Sequence, residues 1–227
     1  MSIVTNGTSI TFNDNTVQTT AYIDYAAKYA QLTTLQATIS STQTYTIPAG
    51  VTVIRIELQA GGGGGSSGTC CSCNPGEGGG GGGAVSACFP VTPGTSYTVT
   101  IGSGGNGATQ CGADCTAAGS PGGASSFGSV ANATGGGGGG VNAGATGGSG
   151  SSTAPFYAIR AGGSTTATSG CNPGTSGGTS WLGTVGVCSG ACTFSATPTL
   201  GGGGAGGHGS STCNGQAGAA GVCRIYY

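Results

Sequence analysis

The chain has 227 residues, of which 54 are glycine and 8 proline, with 4% charged residues, 36% apolar residues and a net charge of −1. Disordered chains are rich in charge and poor in apolar residues, so this composition argues for ordered, packed glycine rather than a flexible linker. It also excludes a nucleic-acid partner, because Lys28, Arg55, Arg160 and Arg224 make no basic footprint, and membrane insertion, because no apolar run approaches spanning length.

Residues 1–23 alternate apolar and polar positions. Ile10 and Phe12 precede a turn at Asn13, Asp14 and Asn15, and Val17 follows it, which predicts a small β-hairpin used for attachment. The first residues carry neither a basic segment nor a long apolar one, so no cleavable secretion signal is expected. Residues 24–40 predict the one helix. Asp24 is a fit N-cap, and no glycine or proline interrupts the segment. Tyr25, Lys28, Leu32, Leu35 and Ile39 recur at spacings of three and four, as in a short coiled-coil seam. Packing of this helix on its own domain competes with self-association. The glycine-rich sequence that follows offers no broad apolar face, which favours an oligomerisation segment over 24–43 with Tyr25, Leu32, Leu35 and Ile39 at the contact.

From residue 44 the pattern becomes β. A strand leads to a turn at Pro48, Ala49 and Gly50, and a stronger strand follows over 51–58 with Ile54, Ile56 and Leu58 on one face. AVSACFPV, TSYTVTIG and the closing GVCRIYY read as further strands, with Pro93 and Gly94 turning the chain between the first two of these. Four or five such strands can form a sheet or sandwich that gathers the ends of three glycine-rich excursions, roughly 59–83, 102–150 and 161–221.

Glycine runs occupy 61–65, 78–83, 135–140 and 201–204. Without Cβ, a chain can adopt a left-handed threefold helix of the polyproline II kind, and glycine keeps the N–H that proline lacks. Neighbouring rods can therefore bond laterally. Each bond contributes about 1 kcal/mol net against roughly 1–2 kcal/mol of backbone entropy per residue, so tethering strands or cross-links are needed. The fold class expected is mainly β, with extensive irregular polyglycine II-like segments and one short N-terminal helix forming an oligomeric coiled coil. The glycine- and cysteine-rich β domain is expected over 44–227.

Eleven cysteines point to disulfides, with Cys70, Cys71, Cys73, Cys111, Cys115, Cys171, Cys188, Cys192 and Cys213 as candidates. An odd total leaves one thiol free or bonded to another subunit. Cys70 and Cys73 have the C-x2-C spacing of a zinc site, but no second such pair completes it, so neither metal nor cofactor is expected. Disulfides without a secretion signal fit a particle assembled in the cytoplasm that later leaves the cell. His208 stands alone in a glycine loop, and Asp14, Asp24, Glu57, Glu77 and Asp114 are scattered, so no catalytic residues are assigned. GSGGNG lacks the strand–turn–helix context of a dinucleotide site. Phe156, Tyr157 and Trp181, set among small residues, are the candidate receptor contacts, whereas Phe127 and Phe194 read as plugs beside the glycine rods.

YTIPAGVTVIRIELQAGGGGG, TPGTSYTVTIGSGGNG, GGASSFG, ATGGGGGG and GVCRIYY, in that order, resemble the glycine-rich domain of bacteriophage tail-fibre and adhesin proteins. GTSITFNDNTVQTTAY independently resembles a segment common in phage fibre and tail proteins. The resemblance implies a virion-attached structural protein, not an enzyme, assembled as a homotrimer. It implies contact with other virion proteins through the N-terminus and with a polysaccharide or outer-membrane protein on the host surface. The cysteine content departs from the cysteine-poor pattern of that family. A capsid cement or decoration protein is the alternative, and a cysteine-based metal-binding module a more distant one.

Overall fold

The computed structural model describes residues 4–5, 10–11, 17–18, 32–69, 75–110, 117–141, 143–167, 174–190, 193–207 and 213–227. Near the N-terminus β1 (Val4–Thr5), β2 (Ile10–Thr11) and β3 (Val17–Gln18) form an antiparallel sheet in that order, with Ile10 opposite Gln18. The expected turn at 13–15 and the expected helical residues Tyr25 and Lys28 lie outside the described residues.

The last part of the expected helix is corrected. Leu32 precedes a strand, β4 (Leu35–Ile39), which pairs antiparallel with the C-terminal strand. A spacing of four puts Leu35 and Ile39 on one face of a helix or of a strand alike. The pairing partner decides between them, and tertiary context overrides local spacing. Ile39 is buried in the core while Leu35 is 48% exposed.

The remaining strands follow in chain order: β5 (Gln43–Thr46), β6 (Val53–Gln59), β7 (Ala84–Pro90), β8 (Ser96–Thr100), β9 (Ser125–Phe127), β10 (Ala131–Ala133), β11 (Gly150–Ser152), β12 (Phe156–Arg160), β13 (Val187–Gly190), β14 (Thr193–Ala196) and β15 (Val222–Tyr226). Two five-stranded antiparallel sheets, ordered β11-β10-β9-β8-β5 and β12-β7-β6-β15-β4, face each other as a sandwich. Strands β13 and β14 form a separate hairpin. Ile54, Ile56 and Leu58 point into the sandwich with Val85, Ala87, Phe89 and Ile225, and meet Val99, Phe127, Ala131 and Ala133 from the other sheet. Burying a side chain of the Leu, Ile or Phe kind contributes about 1.5–3 kcal/mol, and this core supplies what glycine cannot. Phe127 is therefore a sandwich residue rather than a plug beside the rods: its ring lies 5.0 Å from that of Tyr97 and 5.9 Å from that of Phe89. The expected turns close at Gly50 and Gly94, whose φ values of 82° and 81° favour glycine.

Beyond the sandwich the strands continue as glycine rods. The β6–β7 ladder, which ends with Gln59 opposite Ala84, runs on without slipping as bonds from Ala60 N–H to Gly83 O, Gly63 to Gly80 and Ser66 to Glu77. The β15–β6 ladder continues from Gly62 to Ala219, Gly65 to Gln216 and Gly68 to Cys213. The β10–β11 ladder continues from Thr134 to Ser149 and Gly137 to Thr146. In each case the bond recurs every third residue instead of every second, a period that matches three residues per turn.

The rod over 60–68 shows what this period accomplishes. Its N–H groups go in rotation to 77–83, 117–123 and 213–219, all antiparallel to it. Its carbonyls accept from 105–108, 136–139 and 204–207, all parallel to it. Six neighbours thus surround one rod, and its backbone groups are satisfied without side chains. Residues 60–69, 75–83 and 201–207 are buried throughout. The outer rod over 102–109 instead buries Gly102, Gly105 and Ala108 and exposes Ser103, Asn106 and Thr109.

Candidate functional site

Strand β12 forms one edge of its sheet, and it carries two of the proposed contact residues. Phe156 is half-buried and Tyr157 is 51% exposed; beside them Ile159 is 45% exposed. The chain then leaves β12 as a rod that returns by bonding Gly163 N–H to Thr179 O at 2.7 Å. That antiparallel pairing brings Trp181 back beside the strand, where the Arg160 guanidinium stacks over the indole at 5.1 Å. Trp181 is half-buried, and its backbone neighbourhood is pinned: Ser180 Oγ donates to Leu200 O at 2.9 Å and accepts from Gly183 N–H at 3.1 Å. Leu200 and Gly201 both have positive φ, 40° and 83°, in the tight turn closed by Gly202 N–H to Thr199 O.

Trp181 is therefore tied through Arg160 to the face of β12 that carries Phe156, whereas Tyr157 and Ile159 project from the opposite face. Reading the residues in isolation missed Arg160 and Ile159. The available signal was FYAIR, a run of strand formers bounded by Pro155 and Gly162.

The far ends of the rods form a second candidate region. Gly68 N–H bonds Cys213 O, Gly76 bonds Gly207 O, and Gln110 N–H donates to Asn214 Oδ1 at 2.8 Å. Glu77 is wholly buried here. Its carboxylate accepts from Thr175 Oγ1 at 3.1 Å, and its N–H donates to Ser66 Oγ at 2.6 Å. In the sequence these ends flank Cys70, Cys71, Cys73, Cys111, Cys115, Cys171 and His208, which lie outside the described residues, as does Cys192. Cys213 is buried and disulfide-bonded. Cys188 is half-buried on β13. Cys223 is a buried free thiol whose pKa burial pushes up to about 12. Among the described residues no group of three or more His, Cys, Asp or Glu could hold a metal ion, and no helix is long and apolar enough to cross a membrane.

Two further features are structural in character. On the sheet face turned away from the sandwich core, Tyr226 donates its hydroxyl to Glu57 Oε2 at 2.7 Å and Arg55 Nη2 donates to Oε1 at 3.1 Å. Arg55 also lies over the Tyr226 ring at 4.0 Å. Burial and the bond to Glu57 raise the Tyr226 pKa. A cleft of about 260 Å³ opens beside Ser129, Val130, Asn132, Ser151, Ser152 and Thr153, with no titratable side chain in its lining.

A family model described as a glycine-rich domain matches residues 37–227. The chain belongs to the glycine-rich domain family. The match begins inside β4, so in this glycine-rich domain the first edge strand belongs with the sandwich rather than with the N-terminal segment. No curated protein matches the chain.

Proposed function

We propose that this glycine-rich domain protein is a non-enzymatic bacteriophage virion structural protein, a tail-fibre or tip adhesin. On this reading the N-terminal segment attaches it to other virion proteins, several copies assemble together, and the outward surface contacts a polysaccharide or outer-membrane protein of the host. The observation that carries the reading is the buried rod set 60–69, 75–83 and 201–207, in which lateral bonds recur at every turn. Such a body holds its surface loops in place at little entropic cost on binding. The Arg160–Trp181 pair is mounted on it, on the face of β12 that also carries Phe156. Weak contacts of this kind repeated over several copies give avidity through effective concentration.

The test is competition. Purified protein is expected to adsorb to host cells and to reduce virus adsorption, and Trp181→Ala is expected to weaken this about tenfold or more while the melting transition is retained. Binding to capsid with none to cells would replace the adhesin with a cement protein.

A further inference from the structure

We propose that the open edge of β12 is a self-pairing site, at which two copies of the chain join through antiparallel β12 strands centred on Ala158. The proposal stands independently of the adhesin reading.

It begins with the ladder. Val91 N–H donates to Thr52 O and Ala60 N–H to Gly83 O, both in the β6–β7 register. In an antiparallel pair, bonded and non-bonded positions alternate. The bonded positions on β7 towards β6 are thus Val85, Ala87 and Phe89. The backbone groups of Ala84, Ser86 and Cys88 are left to face β12, where they meet Arg160, Ala158 and Phe156. The N–H and C=O groups of Tyr157 and Ile159 consequently point away from the sheet. Their side chains are also two of the most exposed large apolar groups among the described residues.

Such an edge is a template for another strand. Its sequence is self-complementary. With Ala158 on the twofold axis, Tyr157 lies opposite Ile159 of the second copy and Ile159 opposite its Tyr157. On the other face, Phe156 lies opposite Arg160. Aromatic–aliphatic and aromatic–cation pairs are favourable cross-strand neighbours. Tyr157 and Ile159 would exchange both of their backbone bonds, and the small Ala158 side chains would meet at the non-bonded position on the axis. Nothing in the charge of the chain opposes this, since its net charge is −1. The contact is small, so the dimer is weak and concentration-dependent.

The experiment uses the full chain. At a non-bonded antiparallel position the two Cα atoms lie about 4.5 Å apart, within disulfide reach. Ala158→Cys should give a covalent dimer on mild oxidation, well beyond any formed by the parent chain. Adding Ile159→Lys should reduce cross-linking about tenfold, because it brings a charge to the paired edge. Adding Tyr157→Glu to that variant should restore it, since each new carboxylate then faces a new ammonium across the axis. Ile159→Pro removes an N–H that faces away from β7, so it should keep the fold and abolish cross-linking. Far-UV spectra and melting curves establish that each variant is folded. If Ala158→Cys stays at the mass of a single chain, or if its cross-linking is indifferent to Ile159→Lys and Ile159→Pro, the proposal is wrong.

Discussion

A single methyl group placed at Gly80 tests whether the glycine rods are a solid interior. Gly80 N–H donates to Gly137 O at 2.8 Å, and Gly80 O accepts from Gly63 N–H at 2.8 Å. A Cβ built there would overlap Thr146 O, with the Thr146 carbonyl carbon at 2.7 Å and Gly147 N at 3.2 Å. All of these are backbone atoms, so no side chain can rotate away. Relief requires the rods to part by about 1 Å, which weakens both bonds and forfeits part of the packing around them. Two weakened bonds, each with a penalty of about 2–3 kcal/mol for buried groups left poorly paired, give a cost of about 4–6 kcal/mol for Gly80→Ala. For a chain of this size that lowers the melting temperature by about 10–20 °C, and Gly80→Val should cost more. The controls are Ser103→Ala, at an exposed outer-rod position and expected within about 0.5 kcal/mol, and Gly50→Ala. At Gly50 nothing lies within 4 Å, but a φ of 82° costs an L residue about 1–2 kcal/mol. Thermal and urea unfolding followed by circular dichroism rank the four variants. A Gly80→Ala midpoint close to that of Ser103→Ala would refute the buried-rod account.

Four further outcomes rest on the same geometry. Cys223 is raised from 9.0 to about 12 by burial, so its contribution is complete below pH 9 and is lost as pH rises from 9 to 12, where the unfolded chain ionises first. The full loss is up to about 4 kcal/mol, and Cys223→Ala should flatten the fall in urea midpoint between pH 9 and 11. Tyr45, raised from 10.0 to about 12 by burial and by its bond to Tyr227, adds a loss that begins above pH 10. Gln59 is wholly buried and donates Nε2 to Gly82 O at 2.8 Å and to Gly83 O at 3.1 Å. Gln59→Leu should therefore destabilise by about 1–3 kcal/mol in urea unfolding. Leu200 holds a φ of 40° that asparagine tolerates better, and Leu200→Asn should stabilise by up to about 1 kcal/mol in the same assay.

Legibility in the sequence tracked side-chain size. Strands β6, β7, β8 and β15 could be read because large and β-branched residues alternate along them. Ser-Ser-Phe, Ala-Asn-Ala and Gly-Ser-Ser carry almost no such pattern, and β9, β10 and β11 form there because their ladders have partners. Residues 35–39 misled because their spacing suits a helix as well as a strand. In the outer rods the period of three is written in the chain: Ser103, Asn106 and Thr109 recur at the exposed positions. In the inner rods nearly every position is small, Glu77 apart, so there is no periodicity to find, only the run itself. The contact candidates were visible as aromatic residues among small ones. The stacking of Trp181 on Arg160 depended on the pairing of Gly163 with Thr179, which no local signal announces.

The continuity of register from sheet to rod makes a sharper demand than glycine content alone. Each ladder enters the bundle already aligned, so the sandwich sets where every rod begins and the threefold period sets where each donor points. Inserting one glycine between Gly62 and Gly63 moves the rest of that rod by about 3.1 Å and a third of a turn. The N–H groups that served 77–80, 117–120 and 213–216 would then each aim at the wrong neighbour. Up to six buried donors, from Gly63 to Gly68, would lose alignment, a cost that exceeds the stability of an ordinary domain. Inserting three glycines at the same place advances the rod by one full turn, about 9.3 Å, and returns every donor to its original direction. The displaced turn is then taken up at the far end, where the cost is the lost contacts of Ser66 with Glu77 and of Ser67 with Ala117. The three-residue insertion should therefore fold with a cooperative melt, and the one-residue insertion should be protease-sensitive across the rods. Equal tolerance of the two insertions would mean that glycine content, and not the direction of each bond, holds the bundle together.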